Sequence, residues 1–386
     1  MSSVEIKKEV LVWAIERAGF TPSDLEIKFP RIHEWIQGES QPTLKQLENF
    51  AKSTRTPFGF LFLKKPPTEK LPIPFYRTNN NEQQEVVQSV SPELRDTIYL
   101  MQRRQLWMKE HLVEIGAEPL PYVNSVKLEE APEMVSQKIR NTLNLDEDWA
   151  SKLPTWEHAL QFLRDTIENI GVLVTLNGIV GNNTRRKLST NEFRGFVLVD
   201  EHAPLLFVNN ADFKAAKIFT LIHELAHIFI GKSAAFDLRE MLPANNKLEL
   251  FCNQAAADFL VPKSQLLDYW TVAKKTNEPF HNLAGKFKVS VLVVARRALD
   301  LSLVDKSSFI EFYYQYQKDE RRMRTNKGGG GDFYKNQNLR VGRRFATAVM
   351  QAAKEGKVSY HEAFRLTGLY GKTFDKYAAS IEQGGL

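Results

Sequence analysis

Residues 221–229 read LIHELAHIF and place two imidazoles four positions apart, with a carboxyl directly after the first. Residues four apart on an α-helix share a face. His223 and His227 can therefore aim ring nitrogens at one point and hold a divalent ion, and the ligand type points to Zn2+. Glu224 is rotated by roughly 100° from His223. It lies beside the ion, placed to take a proton from an attacking water, as metal-assisted peptide hydrolysis requires. Ile218, Phe219, Leu221, Ile222, Leu225, Ile228 and Phe229 make this helix apolar nearly all round, hence buried. Two histidines and a glutamate in such a place are costly without partners, and a metal satisfies all three.

A catalytic zinc takes a third protein ligand and keeps one position open. The next helical stretch, LELFCNQAAADFLVP, offers Glu249 first. Asp258 is the second choice, with a solvated or capping acid as its ordinary reading. Cys252 is chemically able to bind zinc, but reads more naturally as a small core residue. Asn253, one turn beyond Glu249, is either a partner that orients a histidine's second nitrogen or an ordinary helix–helix hydrogen bond. Ala255, Ala256 and Ala257 permit close packing of the two helices.

The elements that must carry these residues imply an α+β fold, mostly helical. Short buried strands are expected at residues 171–176, 193–200 and 204–210, the last two joined over a hairpin-length connection. The strand at 193–199 is either a sheet edge that pairs with an extended substrate or an interior strand. The metal helix runs from about Asp212 to Gly231, and the next from about 245 to 260, before Pro262. Helices also fit 91–115, 130–144 and 154–170.

The 386 residues are too many for one ordinary domain. Four segments follow: a bundle of five short helices over 1–63; a proline-rich linker and helical connector over 64–150; the zincin-like domain over 151–325; and a small helical module over 332–386. The last boundary rests on four consecutive glycines, 328–331, which act as a hinge. In the bundle, Trp13 and Trp35 are expected in the core. In the last module, Arg340, Arg343, Arg344 and Lys354 read as a solvated basic face.

One cysteine excludes a disulfide framework and points to a reducing compartment. The start MSSVEIKKEV has no apolar core of a signal peptide, and no run approaches a membrane span. A cytoplasmic protein is expected. The net charge of +6 permits nucleic-acid contact without requiring it.

FRGFVLVDEHAPLLFVNNADFKAAKIFTLIHELAHIFIGKS, followed by ELFCNQAAADFLVP, resembles the ImmA/IrrE family of bacterial metallopeptidases. The resemblance covers roughly 155–265. It implies zinc held by His223, His227 and Glu249, with Glu224 as the catalytic carboxylate. It further implies a narrow protein substrate, such as a helix-turn-helix repressor, in a stress, mobile-element, toxin–antitoxin or phage-defence setting. FGFLFL and WIQGESQPTLKQLENFAK are similar to the later helices of Xre/Cro-type helix-turn-helix domains. The short KFPRIHEW departs from that pattern. Lys28, Arg31, His33 and Gln37 are the residues there that would contact DNA. The competing reading is a DNA-binding regulator or antitoxin that holds a partner toxin, with the zinc domain mainly a scaffold.

Overall fold

The computed structural model describes residues 3–68, 75–76, 90–236, 247–318 and 333–382. The chain divides into two compact units, Met1–Phe75 with Glu82–Tyr99 and Tyr76–Asn81 with Leu100–Leu386. The glycines 328–331 and most of the proline-rich run lie outside the described residues.

The first unit begins with helices α1 (Lys8–Arg17), α2 (Pro22–Leu25), α3 (Ile32–Gln37) and α4 (Leu44–Thr54), followed by a 3-10 turn, Phe58–Phe62. Thr21 and Thr43 open α2 and α4 with capping boxes, to Asp24 and Gln46 respectively. Gly38 ends α3 in the left-handed conformation. The core gathers Val10, Leu11, Ile15, Ile32, Trp35, Leu47 and Phe50. Phe29 bridges Trp35 and Phe50, with ring centroids 5.8 and 5.7 Å away. Trp13 is half-buried and packs at the edge of this core, leaning on Phe60.

Strand β1 is Phe75–Tyr76. Then come α5 (Pro92–Glu114), α6 (Pro132–Leu143), α7 (Trp156–Asn169), β2 (Leu173–Asn177), β3 (Ile179–Val180), β4 (Asn183–Lys187), β5 (Gly195–Leu198), β6 (Leu205–Asn209), α8 (Lys214–Ile230), β7 (Ala234–Phe236) and α9 (Lys247–Leu260). Four helices follow, α10 (Lys263–Ala273), α11 (Pro279–Phe287), α12 (Val291–Asp300) and α13 (Lys306–Lys318). The chain closes with α14 (Phe333–Val341), α15 (Arg343–Lys354), α16 (Tyr360–Thr367) and α17 (Lys372–Glu382). None of the helices among the described residues is long and apolar enough to cross a membrane.

The main sheet has the order β1-β7-β5-β6-β2. β5 runs antiparallel to both β6 and β7, and β2 runs parallel to β6. The hairpin expected between 193–200 and 204–210 is therefore present. The possible edge position of that first strand is corrected. β5 is interior, its backbone bonds are spent on β6 and β7, and an extended substrate cannot pair with it. Side chains alternate across β5 and β6. Val197, Leu206 and Val208 share a core cluster with Ile218, Leu221, Ile222 and Leu225 of α8.

The C-terminal helices pack into this second unit and do not stand apart. Arg104 of α5 is 3% exposed and donates to the carbonyls of Leu366, Thr367 and Arg340. Asn182 donates to the Gly368 carbonyl at 2.9 Å. Glu168 of α7 accepts the Arg344 backbone N–H at the start of α15, where Gly342 offers no side-chain cap. The basic face is accordingly divided: Arg340 donates to Asn182, Lys354 pairs with Glu382, and Arg343 is exposed.

Candidate metal centre

The metal site needs two helices held in register. α8 is buried from Lys217 to Ile230 and closes on Gly231 at φ +77°. The Gly231 N–H donates to the carbonyls of His227 and Ile228. A side chain at 231 would be strained by that backbone and would also meet Asn124, 2.5 Å from its Oδ1. The backbone N–H groups of Asn124 and Val126 donate to the carbonyls of Ile228 and Phe229, so a crossing loop satisfies the helix end. Glu249 sits in the first turn of α9, where the positive end of the helix favours a carboxylate. Ala255 and Ala256 are fully buried within the core shared by α8 and α9.

Three ligand atoms converge there. His223 Nε2 lies 3.1 Å from Glu249 Oε2, His227 Nε2 lies 3.5 Å from the same oxygen, and the two Nε2 atoms are 3.3 Å apart. A tetrahedral ion with bonds of roughly 2.0–2.1 Å sets its ligand atoms roughly 3.3–3.4 Å apart. The triangle thus has the size of one face of a zinc coordination tetrahedron. His223, His227 and Glu249 are each 0% exposed, and Glu224 is 1% exposed. Glu249 Oε1, Glu224 Oε2 and His227 Nδ1 are buried without a hydrogen-bond partner among the described residues. Buried polar atoms are normally paired, and a cation at the Nε2 and Oε2 atoms would compensate the carboxylate charge.

The protonation states suit ligation. Burial lowers the His223 pKa and keeps the imidazole neutral, against the opposing pull of Glu249. Burial alone would raise Glu249. The hydrogen bonds and charges of His223 and His227 outweigh it and bring that carboxyl down to about 2. Glu224 is driven well above the usual carboxylate range, first by burial and then by the negative charge of Glu249.

The other expected residues fall into place around this centre or away from it. Asn253 lies beside His223, and its side chain favours the protonated imidazole. Cys252 is fully buried in the core, and its thiol is pushed well above its ordinary range by burial and by Glu249 and Glu224. Asp258, the alternative ligand, is outside the triangle and pairs with Arg297. Lys28, Arg31, His33 and Gln37 are exposed in the first unit and take no part in the centre. Arg31 is engaged by Glu34 at 2.7 Å and His33 by Glu26 at 2.6 Å, while Lys28 Nζ stands 5.9 Å from the Phe29 ring.

Sequence reasoning overlooked two arginines that hold the far end of α9. Arg140 of α6 donates to the Phe259 carbonyl at 2.8 Å, and Arg297 of α12 donates to the Val261 carbonyl at 3.2 Å. Arg140 carried a signal, since it follows Ile139 beside the apolar stripe of α6, and the structure buries it. Gly195 was also overlooked, although a lone glycine inside a strand marks a close approach.

Residues 168–299 match the family model described as the IrrE N-terminal-like domain, from the end of α7 to α12. Residues 341–380 match the model of a domain of unknown function, DUF8813. No curated protein matches the chain. The chain therefore carries a metallopeptidase domain, similar over residues 168–299 to the IrrE N-terminal-like family, with His223, His227 and Glu249 as its candidate metal ligands.

Proposed function

We propose that this domain is a zinc-dependent endopeptidase that cleaves one regulatory protein, a helix-turn-helix repressor or an antitoxin-like partner. The observation that carries the reading is the triangle of His223 Nε2, His227 Nε2 and Glu249 Oε2, at the edge lengths of a zinc tetrahedron, with Glu224 adjacent in the same helix. Two imidazoles and one carboxylate leave one position open, the pattern of a catalytic rather than a structural zinc. When bound, zinc supplies Lewis acidity that polarises the scissile carbonyl and lowers the pKa of water at the site. Glu224 accepts the proton of the attacking water and returns it to the leaving nitrogen. His223, His227 and Glu249 remain fixed while the carbon–nitrogen bond breaks.

A single protein target is supported by the resemblance to the ImmA/IrrE family and by the burial of all four residues. A chain segment reaches Glu224 only when the site opens. The setting that fits is a stress, mobile-element, toxin–antitoxin or phage-defence response. Residues 1–63 then serve as the targeting part, toward a partner protein or toward DNA. Arg31 is paired with Glu34 and His33 is hydrogen-bonded to Glu26, so two of the candidate DNA contacts are engaged within the unit itself.

The burial also fits the second reading, a regulator or antitoxin whose zinc domain is a scaffold. Glu224→Gln separates the two. The full chain is incubated with candidate helix-turn-helix repressors and antitoxin-like proteins. The peptidase reading expects cleavage by the wild type and an intact partner with Glu224→Gln at equal zinc content. Full biological function of Glu224→Gln contradicts it. A shift assay with the protein's own promoter at several salt concentrations decides whether residues 1–63 bind DNA.

A further inference from the structure

Gly195 lies on β5 where the strand meets α8. Any side chain there has three obstacles. A Cβ would stand 2.5 Å from Thr220 Cγ2, 2.9 Å from the Phe207 carbonyl oxygen and 3.0 Å from Glu224 Oε1. The first two distances are closer than real Cβ atoms come, and at the third the carboxylate must give by a few tenths of an ångström. The strand is held from behind. Phe196 stacks on Phe207 with centroids 4.8 Å apart, Phe193 lies 6.0 Å from Phe207, and all three are 0% exposed. β5 is also bonded on both sides, with Gly195 opposite Val208 on β6 and Phe236 on β7. On the helix side, Thr220 is 1% exposed and its hydroxyl donates to the Ala216 carbonyl at 3.0 Å. Of the three obstacles, the Glu224 carboxylate is the end of a flexible side chain, and its Oε2 has no partner among the described residues.

We propose that Gly195 is a positioning residue for Glu224: the bare backbone of β5 is the wall that sets where the carboxylate rests beside the metal triangle. This rests on the metallopeptidase reading and adds to it the element that fixes the proton-transferring group. α8 carries Glu224, but side-chain torsions leave its oxygens free to move. The missing Cβ at 195 makes the space, and Thr220, one turn earlier on α8, borders it. Alanine at 195 displaces Glu224 and leaves the ligands His223, His227 and Glu249 in place. The shift required at 3.0 Å is a few tenths of an ångström, a fraction of the roughly 1 Å misplacement that costs about 100-fold in rate.

The test uses the full chain loaded with cobalt in place of zinc and acetohydroxamate as the probe. A hydroxamate chelates the ion and donates a proton to a carboxylate at the position expected for Glu224, so its affinity reports where that carboxylate stands. Four variants are compared with the wild type: Gly195→Ala, Thr220→Ser, Gly195→Ala with Thr220→Ser, and Glu224→Gln. Thr220→Ser removes Cγ2 and keeps the hydroxyl. Gly195→Ala is expected to bind one equivalent of cobalt, to melt roughly 5 °C lower, and to bind acetohydroxamate about tenfold more weakly, as Glu224→Gln does. The double variant is expected to recover much of the melting temperature without recovering hydroxamate affinity. That split would not arise from packing alone. Recovery of both in the double variant, or unchanged affinity in Gly195→Ala, overturns the proposal. If Gly195→Ala does not fold, the double variant carries the same comparison. A wild type that takes up no cobalt overturns the metallopeptidase reading itself.

Discussion

The two ends of α9 hold buried polar groups of opposite character. At its start, Glu249 meets His223 and His227 in a triangle whose outer atoms, Glu249 Oε1 and His227 Nδ1, have no hydrogen-bond partner among the described residues. At its end, Arg140 and Arg297 donate to the carbonyls of Phe259 and Val261, and Arg297 also pairs with Asp258. The second cluster is closed by the chain itself. Its guanidinium groups satisfy carbonyls that the helix end leaves open before Pro262. The first cluster is not closed by the described residues, and a cation at its Nε2 and Oε2 atoms would neutralise the carboxylate charge. Burial is common to both, so burial does not mark function. What differs is whether the protein's own groups close the hydrogen-bond account.

Substitutions at the two ends should therefore fail in different ways. Glu224→Gln should slow cleavage of the partner protein by roughly 100- to 10,000-fold, the range for loss of a general base, with zinc content unchanged. Quantified cleavage and metal analysis on one preparation check both halves. Arg297→Ala removes the Val261 donor and the ion-pair partner of the partly buried Asp258, which keeps Ser136 and Arg140. It should destabilise the fold by about 1–3 kcal/mol, yet zinc should still bind. Urea unfolding with and without chelator reads both. If zinc is lost with Arg297, the two ends are not independent.

Chelation of zinc should lower stability by about 4 kcal/mol when free zinc stands at roughly 1,000 times its dissociation constant. Glu249→Ala should abolish that response and Asp258→Asn should keep it. Melting curves at several zinc concentrations decide, and the reverse pattern would make Asp258 the ligand.

The smallest effect concerns Glu168, a third buried polar group, which caps α15. Burial raises its carboxyl from 4.5 to about 7, with Arg164 opposing. The folded chain thus binds more protons than the unfolded chain between pH 4.5 and about 7, and stability falls as pH rises through that window. The full difference is about 3 kcal/mol. Glu168→Gln keeps the acceptor for the Arg344 N–H and removes the charge. It should flatten this pH dependence and stabilise the protein at pH 8. Unfolding midpoints at pH 4.5 and 8 check this, and an unchanged slope contradicts it.

The metal end of α9 was legible in the sequence because its signals are periodic. His223 and His227 are one helical turn apart, and Glu249 and Asn253 fall on one face of the next helix. The closed end was legible only in Arg140, beside the apolar stripe of α6; Arg297 is far from Asp258 in sequence and leaves no periodic mark. The sequence put Glu249 first and Asp258 second, and the fold groups Glu249 with the two histidines while Asp258 pairs with Arg297. The interior position of β5 was hidden for a similar reason. Its partner β7 has only the three residues AAF, too few for alternation to show. The β3–β4 ribbon was missed because β3 has only the two residues IV and β4, NTRRK, is polar with slight burial. The docking of the C-terminal helices was missed because Arg104 binds backbone carbonyls, which have no residue type to recognise. Gly195 is the counterexample: a glycine inside an apolar strand was visible, and its meaning came only with Thr220 and Glu224 across from it.

X-ray absorption at the zinc edge, on the zinc-loaded full chain, is the most direct test of the central claim that His223, His227 and Glu249 hold one catalytic zinc. The account predicts one zinc per chain, with nitrogen and oxygen neighbours only, at about 2.0–2.1 Å, two of them imidazole. A sulfur neighbour at about 2.3 Å, or an unchanged spectrum in Glu249→Ala, would contradict it.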